Sequence, residues 1–234
     1  MDTLAVESNL TVIVNGKPVY YCMRMPGMDR ELAAGLCFND GTICSPENII
    51  SIEQQDESTV SIALNDSGCK NSDEIRIIRS SAGVLASDDS RVLDDARNVR
   101  CSARFLFDMQ NDFFSRQNVY NETGATHAAG IYDISGSSMA YAEDVGRHNA
   151  LDKCVGKLLI DNKLEDAVFC MLSSRLSYEM VMKGARAGVA VIAGVSAPTS
   201  FAVKLARGKG ITLVGFLRNG RFNVYSGDWR INIT

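Results

Sequence analysis

Residues 167–217 read AVFCMLSSRLSYEMVMKGARAGVAVIAGVSAPTSFAVKLARGKGITLVGFL, and their rhythm decides the fold. The apolar runs AVFCMLSS, VAVIAGV and ITLVGFL are short and bounded by turn residues, as strands buried on both faces are. Between them, YEMVMKGARAG and PTSFAVKLARG place apolar residues at helical spacing. This alternation predicts α/β architecture, a sheet with parallel strands covered by helices, in which ligands gather at the strand ends.

Working outward, HAAGIYDI (127–134) and SSMAYAED (137–144) predict a hairpin, RHNALDKCVGKLLIDN a helix, and 101–116 an amphipathic helix beginning CSARFLF. Upstream the texture changes. LTVIVNG and PVYYCMRM flank an Asn15-Gly16 turn, MDRELAAGLCFNDG predicts a helix, and IISIEQ, VSIALN and EIRIIRS predict strands. The expectation is a smaller N-terminal α+β domain over residues 1–98 and a second domain over 99–234.

Composition narrows the function. The 24 basic and 28 acidic side chains of the 234 residues give a net charge of −4, which offers no general attraction to nucleic acid. No apolar run approaches the roughly 20 residues needed to span a bilayer, so a soluble, cytoplasmic protein is expected. Walker A, GxSxG and HExxH signatures are missing, and two histidines cannot build a multi-histidine metal site, so no metal site is expected.

Four stretches concentrate chemistry. TGATHAAG (123–130) sets His127 at the start of a strand, where it fits either a structural histidine or a site residue. EDVGRHN (143–149) packs Glu143, Asp144, Arg147 and His148 into a strand-to-helix junction, either capping the helix or binding a polar ligand. LSSRLSYE (172–179) brings hydroxyls and Arg175 to a helix opening, a setting for phosphate or carboxylate capture. Finally, VSAPTSFAV and GFLRNGRF combine a helix start with two guanidiniums around an Asn-Gly turn, which suits a diphosphate or simply a soluble hairpin.

Seven cysteines, an odd number without any CxxC pair, argue against a disulfide framework or a zinc ribbon. Cys37, Cys154 and Cys170 lie in apolar surroundings and read as core residues. Cys69 sits in a polar turn-like segment, and Cys101 lies between Arg100 and Arg104 near a helix start, where positive potential favours a thiolate.

The strings TGATHAAGIYD, EDVGRHNALDK and SSRLSYEMVMKGARAGVAVIAGVSAPTSFAVKLARGKGITLVGFLRNGRFNVYSG, with LTVIVNG and MPGMDRELAAGL upstream, resemble the FdhD family of formate dehydrogenase accessory proteins across nearly the whole chain. The resemblance implies a C-terminal cytidine-deaminase-like three-layer domain and a homodimer. It also implies a role in carrying sulfur from a cysteine desulfurase to Mo-bis(molybdopterin guanine dinucleotide) before that cofactor enters formate dehydrogenase. The family's F-x-[KR]-x-G-R segment falls on Phe216, Arg218, Gly220 and Arg221, which are thereby expected to bind the cofactor, with His127, Arg147 and His148 as neighbours in the same cleft.

One departure divides the expectation. Where the family connection reads like SSCGVCGK and its two cysteines bear the persulfide, residues 80–87 here read SSAGVLAS, with Ala82 and Leu85 at the sulfur positions. Neither side chain can act as the thiolate nucleophile that accepts sulfur. Either another thiol, Cys69 or Cys101, takes the carrier role, or the protein binds the cofactor as a chaperone or scaffold without transferring sulfur. On the sequence alone, whether it is an enzyme stays open.

Overall fold

The computed structural model describes residues 2–65, 76–78 and 99–232. The Ala82 and Leu85 positions, Cys69, and the proposed boundary at 98 lie outside the described residues.

The N-terminal part is built on one sheet. Strands β1 (Ser8–Val14) and β2 (Lys17–Arg24) pair antiparallel across Asn15-Gly16, both at positive φ (48° and 78°), the geometry that Asn-Gly favours in a tight hairpin. Helix α1 (Asp29–Asp40) follows, then β3 (Ile49–Asp56), β4 (Thr59–Leu64) and the short β5 (Arg76–Ile78), giving the sheet order β3-β4-β1-β2-β5. The inner face of β1 and β4 alternates as a half-buried strand should: Leu10, Val12, Val60 and Ile62 are fully buried.

Strand β6 (Cys101–Ser102) leads directly into α2 (Ala103–Ser115), which Ser102 caps by accepting a hydrogen bond from the Phe105 amide (3.1 Å). Leu106, Met109, Gln110 and Phe113 form its buried stripe. A short helix α3 (Asn118–Thr123), not foreseen from the sequence, precedes β7 (His127–Tyr132) and β8 (Ser138–Asp144). Then come α4 (Arg147–Ile160), β9 (Phe169–Leu172), α5 (Tyr178–Arg186), β10 (Val191–Gly194), α6 (Ser200–Gly208), β11 (Thr212–Arg218), β12 (Arg221–Ser226) and β13 (Ile231–Asn232). The last of these pairs in parallel with β6.

The second sheet has the order β12-β11-β10-β9-β7-β8, with β9, β10 and β11 parallel as the alternation predicts. Successive residues of β9 face opposite layers. Cys170 and Leu172 join a core with α4 and α5 residues, whereas Phe169 and Met171 pack with Leu106 and Phe113 of α2. The first of these cores continues without a break into Leu10, Val12, Leu32 and Leu36, on the N-terminal side of residue 98.

That continuity depends on α1 lying very close to α4. A Cβ on Gly156 would stand 1.8 Å from the Glu31 carbonyl oxygen, and one on Gly35 would stand 2.0 Å from that of Asp152. Because α4 is covered on nearly every side, Asp152 and Lys153 in its middle are paired internally. Lys183 of α5 holds Asp152 at 2.5 and 2.7 Å, Asn39 of α1 donates to the same carboxylate (2.6 Å), and Lys153 meets Asp144 at 2.7 Å. Among the described residues no helix is long and apolar enough to cross a membrane.

Candidate functional site

Three helix N-termini meet at the carboxyl ends of β9 and β10. His148 and Glu179 occupy the second positions of α4 and α5, and their 2.8 Å contact sets the two helix openings side by side. The third comes from α6. Leu176 forms a parallel bridge with Pro198, its amide donates to the Ala197 carbonyl, and its own carbonyl accepts from the Thr199 amide (3.0 Å). Thr199 in turn caps α6 by accepting from the Ala202 amide. The positive ends of the helix dipoles therefore point at one place, which favours an anion.

The side chains at this place are cationic or hydrogen-bond donors. Arg147 opens α4, Arg175 stands exposed on the β9–α5 loop, and Ser177 is the N-cap residue of α5. Two polar atoms here are buried without a hydrogen-bond partner, Arg147 Nε and Ser177 Oγ. Unlike Ser102 and Thr199, Ser177 makes no capping bond. Buried donors left without partners cost free energy, about 1–3 kcal/mol each, so two of them at adjoining helix openings mark a cradle for a ligand that supplies acceptors.

His127 borders the cradle. It begins β7, whose next residue is tied to the end of β9 by the Ala128 amide donating to Ser173 Oγ (2.8 Å). Burial first, then the charges of Arg147 and Arg175, hold its imidazole below the ordinary histidine pKa, which favours the neutral ring. His148 is only 2% exposed and is committed to Glu179, holding α4 against α5. Asp144 is likewise committed: it accepts from the Gly146 and Met25 amides and from Asn149, besides meeting Lys153. No side chain of EDVGRHN caps α4, whose N-cap residue is Gly146; Asp144 is satisfied by bonds around the junction, while Arg147 is the member of that cluster with an unengaged donor.

The GFLRNGRF segment lies on the adjoining strand end. Phe216 donates its amide to the Ser196 carbonyl, which joins it to the loop before α6, and it sits in the left-handed region (φ 54°) at a bulge between Gly215 and Arg218. Gln110 of α2 braces the bulge by donating to the Leu217 carbonyl. Arg218 stacks 5.7 Å from the centre of the Phe216 ring and stands in register with Arg221 across the Asn219-Gly220 turn, with both arginines exposed. Gly220 is required by its φ of 70° rather than by crowding, since a Cβ at that position would meet nothing within 4 Å.

The thiols divide by burial, and one expectation is corrected. Cys101 does lie beside the helix start, one residue before the Ser102 N-cap of α2, but its thiol is not poised as a thiolate. It lies in β6, 7% exposed, and burial pushes its thiol up to about 11, because the β6–β13 pairing covers the strand before the helix begins. Cys22 and Cys170 are pushed up to about 12, also chiefly by burial, and Cys37 and Cys154 are fully buried. Cys44 alone is exposed among the described cysteines. A separate cavity of about 790 Å³ opens at the opposite end of the sheet, lined by Asp133, Asp161, Glu165 and Asp166 among others, and its carboxylates make it a poor host for a phosphate.

Comparison with known proteins agrees with the architecture. A crystal structure from Desulfotalea psychrophila, of a protein assigned as a formate dehydrogenase accessory protein, superposes with a TM-score of 0.85 at 25% identity, covering 99% of this chain and 92% of the other. The chain is 38% identical to the sulfur carrier protein FdhD of Sulfurisphaera tokodaii (89% of this chain, 82% of the relative). It is 36% identical to that of Saccharolobus solfataricus (98% and 91%). The FdhD/NarQ family profile matches residues 5–232, and with likeness of this extent in both sequence and fold, the chain belongs to the FdhD/NarQ family.

Proposed function

We propose that this protein is an accessory factor in formate dehydrogenase maturation that holds the guanine dinucleotide end of Mo-bis(molybdopterin guanine dinucleotide) and does so without carrying sulfur at the family's loop positions. The cofactor is cargo here, handed on to the dehydrogenase. The observation that carries the reading is the cradle of helix N-termini in which Arg147 Nε and Ser177 Oγ are buried without partners. Arg147 and Ser177 would donate hydrogen bonds to phosphate oxygens, Arg175 would neutralise their charge, and the half-buried Phe216 ring offers a face for a planar base. The facing of Arg218 with Arg221 supports the same reading, since like charges in register repel until an anion lies between them. The strand order and the three parallel strands support a cytidine-deaminase-like layer as the frame.

The sulfur half of the family's role is left out because Ala82 and Leu85 replace the carrier thiols and five of the six described cysteines are buried. Titration with guanosine diphosphate tests the binding reading. Arg147→Ala removes a charge-assisted hydrogen bond of about 1.5–3 kcal/mol, so affinity should fall roughly 10- to 150-fold. Phe216→Ala should weaken binding several-fold. Unchanged affinity in both variants would refute the assignment of the ligand to this end of the sheet.

A further inference from the structure

The charges around the cradle do not cancel. Among the described residues neither Arg147 nor Arg175 takes part in an ion pair, although three carboxylates lie on neighbouring elements. Each of those is committed elsewhere. Asp144 of β8, the register partner of His127, is held by Lys153 and by the amides of Met25 and Gly146. Glu143 accepts from the Val119 and Tyr120 amides and the Thr126 hydroxyl. Glu179 of α5 is taken by His148. The imidazole of His127 therefore faces two guanidiniums without a counter-ion, in a half-buried position where a further positive charge is disfavoured until an anion arrives.

We propose that a doubly charged phosphate-like anion entering this cradle brings a proton with it, taken up from solvent on the His127 imidazole, so that ligand capture and release are coupled to pH. This rests on the reading of the cradle as an anion site and adds a mode of regulation to it. The balance is simple: one dianion and one proton join the protein, an N–H bond forms on the ring, and no electron moves.

In the free protein, burial and the two arginines hold the His127 pKa low. A bound dianion reverses the local field, and an opposite charge within a few ångström raises a pKa by about 1–3 units. The bound pKa then exceeds the free one. Affinity climbs as pH falls through the bound value, levels off below the free value, and loses its pH dependence above both.

Inorganic sulfate is the suitable probe, because it stays a dianion between about pH 5 and 8, where histidine titrates. With only two histidines in the chain, His127→Asn assigns the imidazole resonances in NMR spectra. The expected result is a rise in the His127 pKa of about one unit or more at saturating sulfate, with roughly tenfold tighter sulfate binding at the acid end of the range. His127→Asn should flatten that pH dependence. An unmoved His127 pKa in the native protein, a full pH dependence in His127→Asn, or failure of sulfate to bind overturns the inference. If guanosine diphosphate still binds in an Arg147-dependent way while the His127 pKa stays fixed, proton coupling falls and the binding reading stands. If guanosine diphosphate does not bind, the binding reading itself falls.

Discussion

Replacing Gly156 with alanine should force the two halves of the molecule apart at the α1–α4 contact. The added methyl would stand 1.8 Å from the Glu31 carbonyl oxygen and 2.7 Å from the Gly35 amide nitrogen, and both neighbours are backbone of α1. Neither can turn aside as a side chain would. Non-bonded heavy atoms settle at about 3.5–4.0 Å, so α1 must move off α4 by more than about 1 Å. Overpacking of this kind costs about 1–3 kcal/mol and occasionally more, against about 1 kcal/mol recovered because alanine is the better helix former. Because the overlap is with backbone that cannot turn aside, the upper end of that cost applies, and the net expectation is a loss of about 2 kcal/mol, or roughly 4–8 °C in Tm for a chain of this size. Urea and thermal unfolding followed by circular dichroism would measure it, with Gly208→Ala as the control, since a Cβ there meets nothing within 4 Å. A Gly156→Ala protein as stable as the parent would refute the close helix contact. So would a gain of the size that helix propensity alone predicts.

Two other outcomes follow from the buried polar groups. Lys183→Met should destabilise the fold by about 3–5 kcal/mol by leaving the Asp152 carboxyl without its cation at 0% exposure, and the double change with Asp152→Leu should recover much of that loss in urea midpoints. In a Cys69→Ser background, a thiol reagent should modify Cys44 rapidly in the native protein and leave Cys101, pushed up to about 11, untouched until denaturant is added. Rapid native labelling at Cys101 would contradict its burial in β6.

Sequence periodicity made the second sheet legible, because strands and helices of residues 127–217 each bury a face and advertise it in their spacing. The Asn15-Gly16 and Asn219-Gly220 turns were legible for a similar reason: positive φ at two consecutive positions admits few residue pairs. What stayed hidden depends on contacts between distant segments. Gly35 and Gly156 look locally like weak points in their helices, and only their mutual approach shows why a side chain is excluded at both. Cys101 misled because Arg100 and Arg104 flank it in sequence, whereas its thiol is covered by pairing with Ile231 at the far end of the chain. Within the candidate site, Arg147 and His127 were visible as chemistry, but the division of labour was not. His148 and Asp144 turn out to be occupied by Glu179 and Lys153, and Ser177 stands out only through a cap bond it does not make.

The claim that separates this chain from the sulfur carriers it resembles is that it handles the cofactor without bearing sulfur itself. Incubation of the purified protein with a cysteine desulfurase and cysteine, followed by peptide mass spectrometry, tests that claim most directly. The account predicts that no cysteine-containing peptide gains the mass of a sulfur atom. A persulfide on Cys69 or Cys44, formed at a rate dependent on the desulfurase, would contradict it.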